Sequence, residues 1–222
     1  LPEGTEGIAE IRRVVFDRLI ARNSNPALWV TPGAYTKLVI DGEVMMSDTP
    51  HEDATCAELL LHARGSVLIA GLGIGMVLPP VLAKPTVTRV LVLEKYAEVI
   101  ALVAASVAHP KLEIRQADVL LDPVPTEEFD TVYLDIWPTL SDLNLPEMAA
   151  LRRRFAPCYR TRKTWVGCWG EMQCREFKAV NAAFAAATVA GDEKGKHAAA
   201  QRMMALGFDL GGALADRAAG RL

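Results

Sequence analysis

Three glycines at alternate positions, Gly71, Gly73 and Gly75, follow the apolar run Val67-Leu68-Ile69-Ala70 and precede a second apolar stretch that ends at Ala83. A backbone without Cβ atoms turns sharply and passes close to a nucleotide-like ligand, so a side chain at Gly73 is expected to obstruct a ligand more than folding. A dinucleotide fingerprint, G-x-G-x-x-G/A, needs a small residue where this chain has Met76, which argues against NAD. Carboxylates follow at regular places. Glu94 ends the apolar run that starts at Val87, nineteen residues after Gly75, where it can accept hydrogen bonds from both hydroxyls of a ribose. Charge-assisted bonds of that kind are worth about 1.5–3 kcal/mol each. Asp118 follows Leu112-Glu113-Ile114-Arg115-Gln116, where an adenine amino group could be read, and Asp135 closes Phe129-Asp130-Thr131-Val132-Tyr133-Leu134. Together these residues fit an adenosyl ligand.

The elements that must carry them alternate. Strands are expected at 66–70, 87–93, 112–116 and 130–135, and helices at 74–83 and 95–108, which implies parallel strands joined by right-handed crossovers. Ligands in such sheets bind outside the carboxyl ends of the strands, so the glycines and the three acids share one crevice. Further on, the pattern predicts a helix at 146–155, a fifth strand at 161–169, a long alanine-rich helix at 171–190, a break at Gly191-Asp192 and Gly195, and a helix at 197–206. Upstream, 7–22 reads as an amphipathic helix with Ile8, Ile11, Val15 and Leu19 on one face. Short strands at 28–30 and 35–46 follow, with Asp41-Gly42 as a hairpin turn, then a helix at 51–64. The expected division is an N-terminal helix and β-hairpin extension over 1–64 and an adenosyl-ligand-binding α/β unit over 65–222.

The order of these motifs resembles that of the class I S-adenosylmethionine-dependent methyltransferases, and within them the spermidine synthase-like branch. The resemblance runs from about Lys37 to Pro138. It includes the hairpin Lys37-Leu38-Val39-Ile40-Asp41-Gly42-Glu43-Val44, a helix holding Glu58, and the loop Lys84-Pro85-Thr86-Val87. It implies an α/β fold, a Rossmann-like doubly wound and mostly parallel sheet, with S-adenosyl-L-methionine as cofactor. It implies donor contacts from Gly71, Gly73, Gly75, Glu94 and Lys95, Asp118 and Val119, and Asp135, with Asp135 also the catalytic group and Trp137 against the substrate. It also implies a homodimer through the N-terminal hairpin. Such folds usually finish with strands six and seven as an antiparallel hairpin. Gly207-Phe208-Asp209-Leu210 offers one short strand and 211–222 has weak periodicity, so those two strands stay open.

Departures from the branch bear on chemistry. Aminopropyltransferases carry an acid within or after the glycine run and a second acid three residues after the fourth-strand Asp; here those places hold Ile74 and Pro138. Both changes remove a carboxylate that would neutralise a polyamine, although Asp142 and Asp41 could compensate from loops. The resulting expectation is a methyltransferase acting on a small molecule. The alternatives are an aminopropyltransferase and a non-catalytic module that binds an adenosyl ligand. Trp165 and Trp169 join Trp137 as walls for a flat or cationic acceptor, or as core.

Simpler roles compete for the same residues. Glu94 suits a helix start, where acids gain about 0.3–1 kcal/mol from the dipole. Asp118 and Asp135 suit turns. The coincidence of acids at successive strand ends is what these roles leave unexplained.

Charge and composition exclude other classes. With 24 basic and 27 acidic side chains the net charge is −3, so no global basic field calls for nucleic acid. The local cluster Arg152-Arg153-Arg154, Arg160, Arg162 and Lys163 reads chiefly as a solvated helix end. These cations leave an RNA methyltransferase open, although no Asn-Pro-Pro-Tyr-type motif follows the fourth strand to hold a flipped base. Cys56, Cys158, Cys168 and Cys174 form no C-x-x-C pair and no zinc spacing, so reduced thiols, no metal and a cytoplasmic setting are expected. The longest apolar run, 66–83, contains three glycines and Pro79-Pro80, which fits strand, loop and helix rather than a membrane span. Neither a basic n-region nor an apolar h-region opens the sequence.

Overall fold

In the computed structural model, which describes residues 1–20 and 29–206, an antiparallel sheet packs beside a parallel one. The first sheet comprises β1 (Gly4–Glu6), β2 (Ala9–Phe16), β3 (Gly33–Ile40) and β4 (Glu43–Ser47), paired in that order. The β3–β4 turn is Asp41-Gly42, both at positive φ (51° and 83°), the conformation that suits a two-residue hairpin turn. Ala9 and Ile11 on β2 lie opposite Ile40 and Leu38 on β3, and all four are buried.

The helix expected over 7–22 is therefore a correction: β2 occupies half of that segment, and none of its described residues is helical. Ile8, Val15 and Leu19, three of the four residues assigned to a buried helical face, are exposed at 48%, 73% and 47%. The β-branched and aromatic run Val14-Val15-Phe16 favours a strand, and β3 supplies a partner whose ladder outweighs a weak helical spacing. Val30 pairs with Ile20 in an isolated bridge, while Leu28 lies outside the described residues, as does the candidate strand at 207–210.

Two short helices follow, α1 (Pro50–Thr55) and α2 (Ala57–His62), in place of one over 51–64. The chain then enters the parallel sheet: β5 (Gly65–Ala70), β6 (Val87–Glu94), β7 (Leu112–Gln116), β8 (Thr131–Leu134) and β9 (Trp165–Cys168). Its spatial order is β7-β6-β5-β8-β9 and every pair is parallel. This is the doubly wound, Rossmann-like order, in which the direction of winding reverses between β5 and β8. The strands read as unbroken apolar runs because both faces are covered: Val67 to Ala70, Val90 to Leu93 and Val132 to Leu134 are all buried.

Between the strands run α3 (Leu78–Leu82), α4 (Ala97–Val103) and α5 (Leu145–Arg154), with α6 (Glu171–Ala190) and α7 (Glu193–Ala205) after β9. The first is far shorter than the expected 74–83, because Pro79-Pro80 fixes its start and the residues before it are spent on turns through the glycines. The bounds of α6 match the expectation, set by Gly170 and Gly191 in left-handed conformations at its two ends. Residues 117–130 join β7 to β8 without a helix.

Arg153, Arg160, Arg162 and Lys163 of the basic cluster are exposed, as a solvated helix end implies, and three of the six cations also fasten the fold. Arg152 donates to the Val166 carbonyl (2.7 Å) and pairs with Glu171, Arg154 donates to the Val119 and Asp122 carbonyls, and Arg160 pairs with Asp130 (3.3 Å). The four cysteines are buried and no disulfide joins them. Among the described residues no helix is long and apolar enough to cross a membrane.

Candidate functional site

The reversal point places the ends of β5 and β8 side by side. The Asp135 amide donates to the Ala70 carbonyl at 2.8 Å. Gly71, at φ 98°, passes so close that a Cβ there would overlap the Asp135 carbonyl oxygen, so this position requires glycine. From here a cavity of about 220 Å³ opens across the carboxyl ends of the strands. Gly71, Gly73, Glu94, Lys95, Asp118, Val119, Asp135 and Trp137 all line it, so the sequence-derived set converges in space except for Gly75. A Cβ on Gly75 would lie 2.7 Å from Val107 and 3.2 Å from Val103, which makes it a packing glycine.

Gly73 also needs revision. A side chain there would overlap the Met46 sulfur, and its φ is 52°, so substitution strains the fold as well as crowding a ligand. Met46 comes from β4, and its sulfur accepts the Ile74 amide at 3.2 Å. The N-terminal sheet is thus part of the crevice, contributing Leu38, Ile40, Met45 and Met46 to its wall.

Glu94 is buried, and each of its oxygens accepts one backbone amide: Oε2 from Leu72 and Oε1 from Tyr96, both at 2.8 Å. It ties the glycine loop to the start of α4 and still borders the cavity, and a carboxylate oxygen has a second lone pair for a ligand hydroxyl. Asp118 pairs with Lys95 at 3.2 Å and caps its own turn by accepting the Leu120 amide at 2.9 Å. That amide, with Lys95, holds its carboxyl below the usual range. The turn-forming role weighed for Asp118 is therefore present alongside its place on the cavity wall.

Asp135 differs. Burial, reinforced by the nearby Glu52, pushes its carboxyl up to about 8. Glu52, on α1, is pushed up to about 7 by burial, partly offset by the Ser47 backbone amide, and it lines the same cavity. The sequence reading missed Glu52. Its position just after Thr49-Pro50 makes it look like an ordinary first-turn acid, and nothing local shows that the helix start faces a strand end 83 residues further on. The acids weighed as substitutes, Asp41 and Asp142, do not line the cavity.

Trp137 and Trp169 are buried on the cavity wall, their indole N–H groups engaged by Glu147 (2.7 Å) and by Thr55 (2.8 Å). Trp165 does not belong to the wall. It stacks on His62 at 4.7 Å and beside Tyr133 at 6.3 Å.

No protein family and no curated protein matches the chain. Solved structures do. A complex of DhpI with SAM and HEP is 23% identical over 52% of this chain and 56% of that one, with a TM-score of 0.40. An S-adenosylmethionine-dependent methyltransferase from Mesorhizobium loti is 19% identical over 48% and 47%, with a TM-score of 0.39. Spermidine synthase from Thermotoga maritima is 24% identical over 64% and 49%, with a TM-score of 0.38. The chain spans about half the length of each. The Rossmann-like fold itself rests on the strand order.

Proposed function

We propose that the crevice binds S-adenosyl-L-methionine and that the protein transfers its methyl group to a small-molecule acceptor. The observation that carries this reading is the meeting of Gly71, Glu94, Asp118 and Asp135 in one cavity at the winding reversal. The residues present fit the group. Glu94 and Asp118 offer acceptors to ribose hydroxyls and to an adenine amino group, and Leu72, Met76, Val77 and Val99 give an apolar wall. A bound sulfonium donor would supply a methyl carbon open to in-line attack, with the C–S electrons returning to sulfur.

What the chain contributes is placement and proton handling. Holding an acceptor about 3–3.5 Å from the reacting carbon and excluding water supplies much of the rate. Asp135, its carboxyl raised to about 8, is suited in its ionised form to orient the acceptor and take a proton from it.

A second reading, aminopropyl transfer from a decarboxylated donor, gains one point from Glu52, which restores a carboxylate near Asp135 that Ile74 and Pro138 had removed. Turnover assays with S-adenosylmethionine and with decarboxylated donor plus putrescine separate the two. Methyl transfer is expected, and aminopropyl transfer at ordinary enzymatic rates would overturn the assignment.

A further inference from the structure

Seven titratable side chains border the cavity: Glu52, Cys56, Glu94, Lys95, Tyr96, Asp118 and Asp135. Lys95 is the cation among them and pairs with Asp118, while Glu94 accepts the backbone amides of Leu72 and Tyr96 and, on the donor reading, turns its remaining lone pairs to the ribose. Glu52 and Asp135 have no ion pair among the described residues. They come from separate parts of the chain, one on the N-terminal helix α1 and one at the tip of β8, and meet in an enclosure otherwise walled by Leu38, Ile40, Met45, Trp137 and Trp169.

We propose that Glu52 and Asp135 together form the seat for the ammonium group of a monoamine acceptor, whose apolar body rests against the two tryptophans and the β4 methionines. This rests on the reading of the crevice as a donor site. Two carboxylates in an apolar enclosure are costly to ionise unless a cation joins them, and one ammonium supplies that charge with several donors for their oxygens. The elevated carboxyls of both acids reflect the same deficit. Indoles on the wall add attraction for a cation. A second ammonium on the same molecule finds no further uncommitted acid, because Asp118 is paired with Lys95 and Glu94 is held by two backbone amides on the donor's side of the crevice, so a monoamine suits the cavity better than a polyamine.

The pair also solves a proton problem. An ammonium has no lone pair to attack with. When its N–H bond breaks and the proton moves to a carboxylate oxygen, the electron pair stays on nitrogen and the amine becomes nucleophilic. The transfer is uphill, and an ionised Asp135 whose carboxyl is raised to about 8 makes it less so than an ordinary carboxylate would.

Glu52 is placed on the acceptor side by its neighbourhood. Thr55, one helical turn further along, is the last residue of α1 and accepts the Trp169 indole N–H, so the end of α1 is fastened beside the end of β9, on the opposite side of the strand order from β6 and β7, which lead to Glu94 and Asp118.

The test is calorimetric titration of protein saturated with S-adenosylhomocysteine, using propylamine, benzylamine and putrescine against propanol and benzyl alcohol. At least one monoamine should bind about tenfold or more tightly than its alcohol and more tightly than putrescine. Glu52→Gln should abolish that preference while leaving the affinity for S-adenosylhomocysteine within about twofold. Equal binding of amines and alcohols by the unmodified protein overturns the proposal without reference to any variant. So does a preference that survives Glu52→Gln. Loss of S-adenosylhomocysteine affinity in Glu52→Gln, with methylthioadenosine binding intact, overturns it too, because the acids would then serve the donor's own amino group. Failure of the unmodified protein to bind S-adenosylhomocysteine counts against the donor reading instead, and the same amine and alcohol titration of the ligand-free protein then decides the acid pair alone.

Discussion

The Glu94 carboxylate accepts the Leu72 amide at 2.8 Å, so the acid that ends β6 holds the glycine loop that leaves β5. The same side chain therefore shapes the crevice and borders it. Its other oxygen fixes the Tyr96 amide at the start of α4, which makes one buried residue the junction of two strands and a helix.

Glu94→Ala should cost both functions. Two backbone amides lose a charged acceptor, and a buried unsatisfied donor costs about 1–3 kcal/mol. The expected result is a lower melting temperature together with adenosyl binding weakened by about 1.5–3 kcal/mol. Unchanged affinity in a folded variant would leave Glu94 with its loop-holding role alone.

Gly73→Ala should destabilise the protein by about 1–3 kcal/mol, since the new methyl meets the Met46 sulfur and the backbone sits at positive φ. Adding Met46→Ala should recover part of that loss, because the clash goes while the backbone strain stays. Urea unfolding of the two single variants and the double variant reads the coupling. Additive losses would show that the β4 methionine does not press on the loop.

Stability should fall as pH rises. Asp135 and Glu52 have carboxyls raised to about 8 and about 7, so the folded state holds protons that the unfolded chain releases from about pH 4. Their neutral forms leave stability intact below the unfolded values, and it is lost progressively up to about pH 8, beyond which these two groups add no further slope. Asp135→Asn and Glu52→Gln should each flatten the profile and exceed the parent in stability at pH 8. Melting temperatures between pH 5 and 9 check this, and parallel profiles for parent and variants would contradict it.

Asp135→Asn should also separate binding from chemistry. The amide keeps the shape of the β8 tip, whose backbone bond to Ala70 does not involve the side chain, so donor affinity should persist while methyl transfer is lost. A fully active Asp135→Asn protein would move the catalytic role elsewhere.

The parallel sheet was legible because each of its central strands is an unbroken apolar run that stops at a glycine or an acid, a pattern few other arrangements share. The N-terminal sheet was not. Ile8, Ile11, Val15 and Leu19 happen to fall at helical spacing, and only the cross-strand partner in β3 decides for a strand, at separations from Phe16 with Gly33 to Ala9 with Ile40 that local reading does not weigh. The site divides the same way. Glycines and acids at strand ends announce themselves, because strand ends in a doubly wound sheet point to one place. Glu52 does not, since its importance comes from the packing of α1 against the crevice and from the lack of a cation beside it.

The central claim is that the crevice takes an S-adenosyl donor and its thioether product, and calorimetric titration of the unmodified protein tests it most directly. S-adenosylmethionine or S-adenosylhomocysteine should bind at one site, raise the melting temperature by mass action, and outcompete NAD. No binding of either at millimolar concentration, or a preference for NAD, would contradict the account.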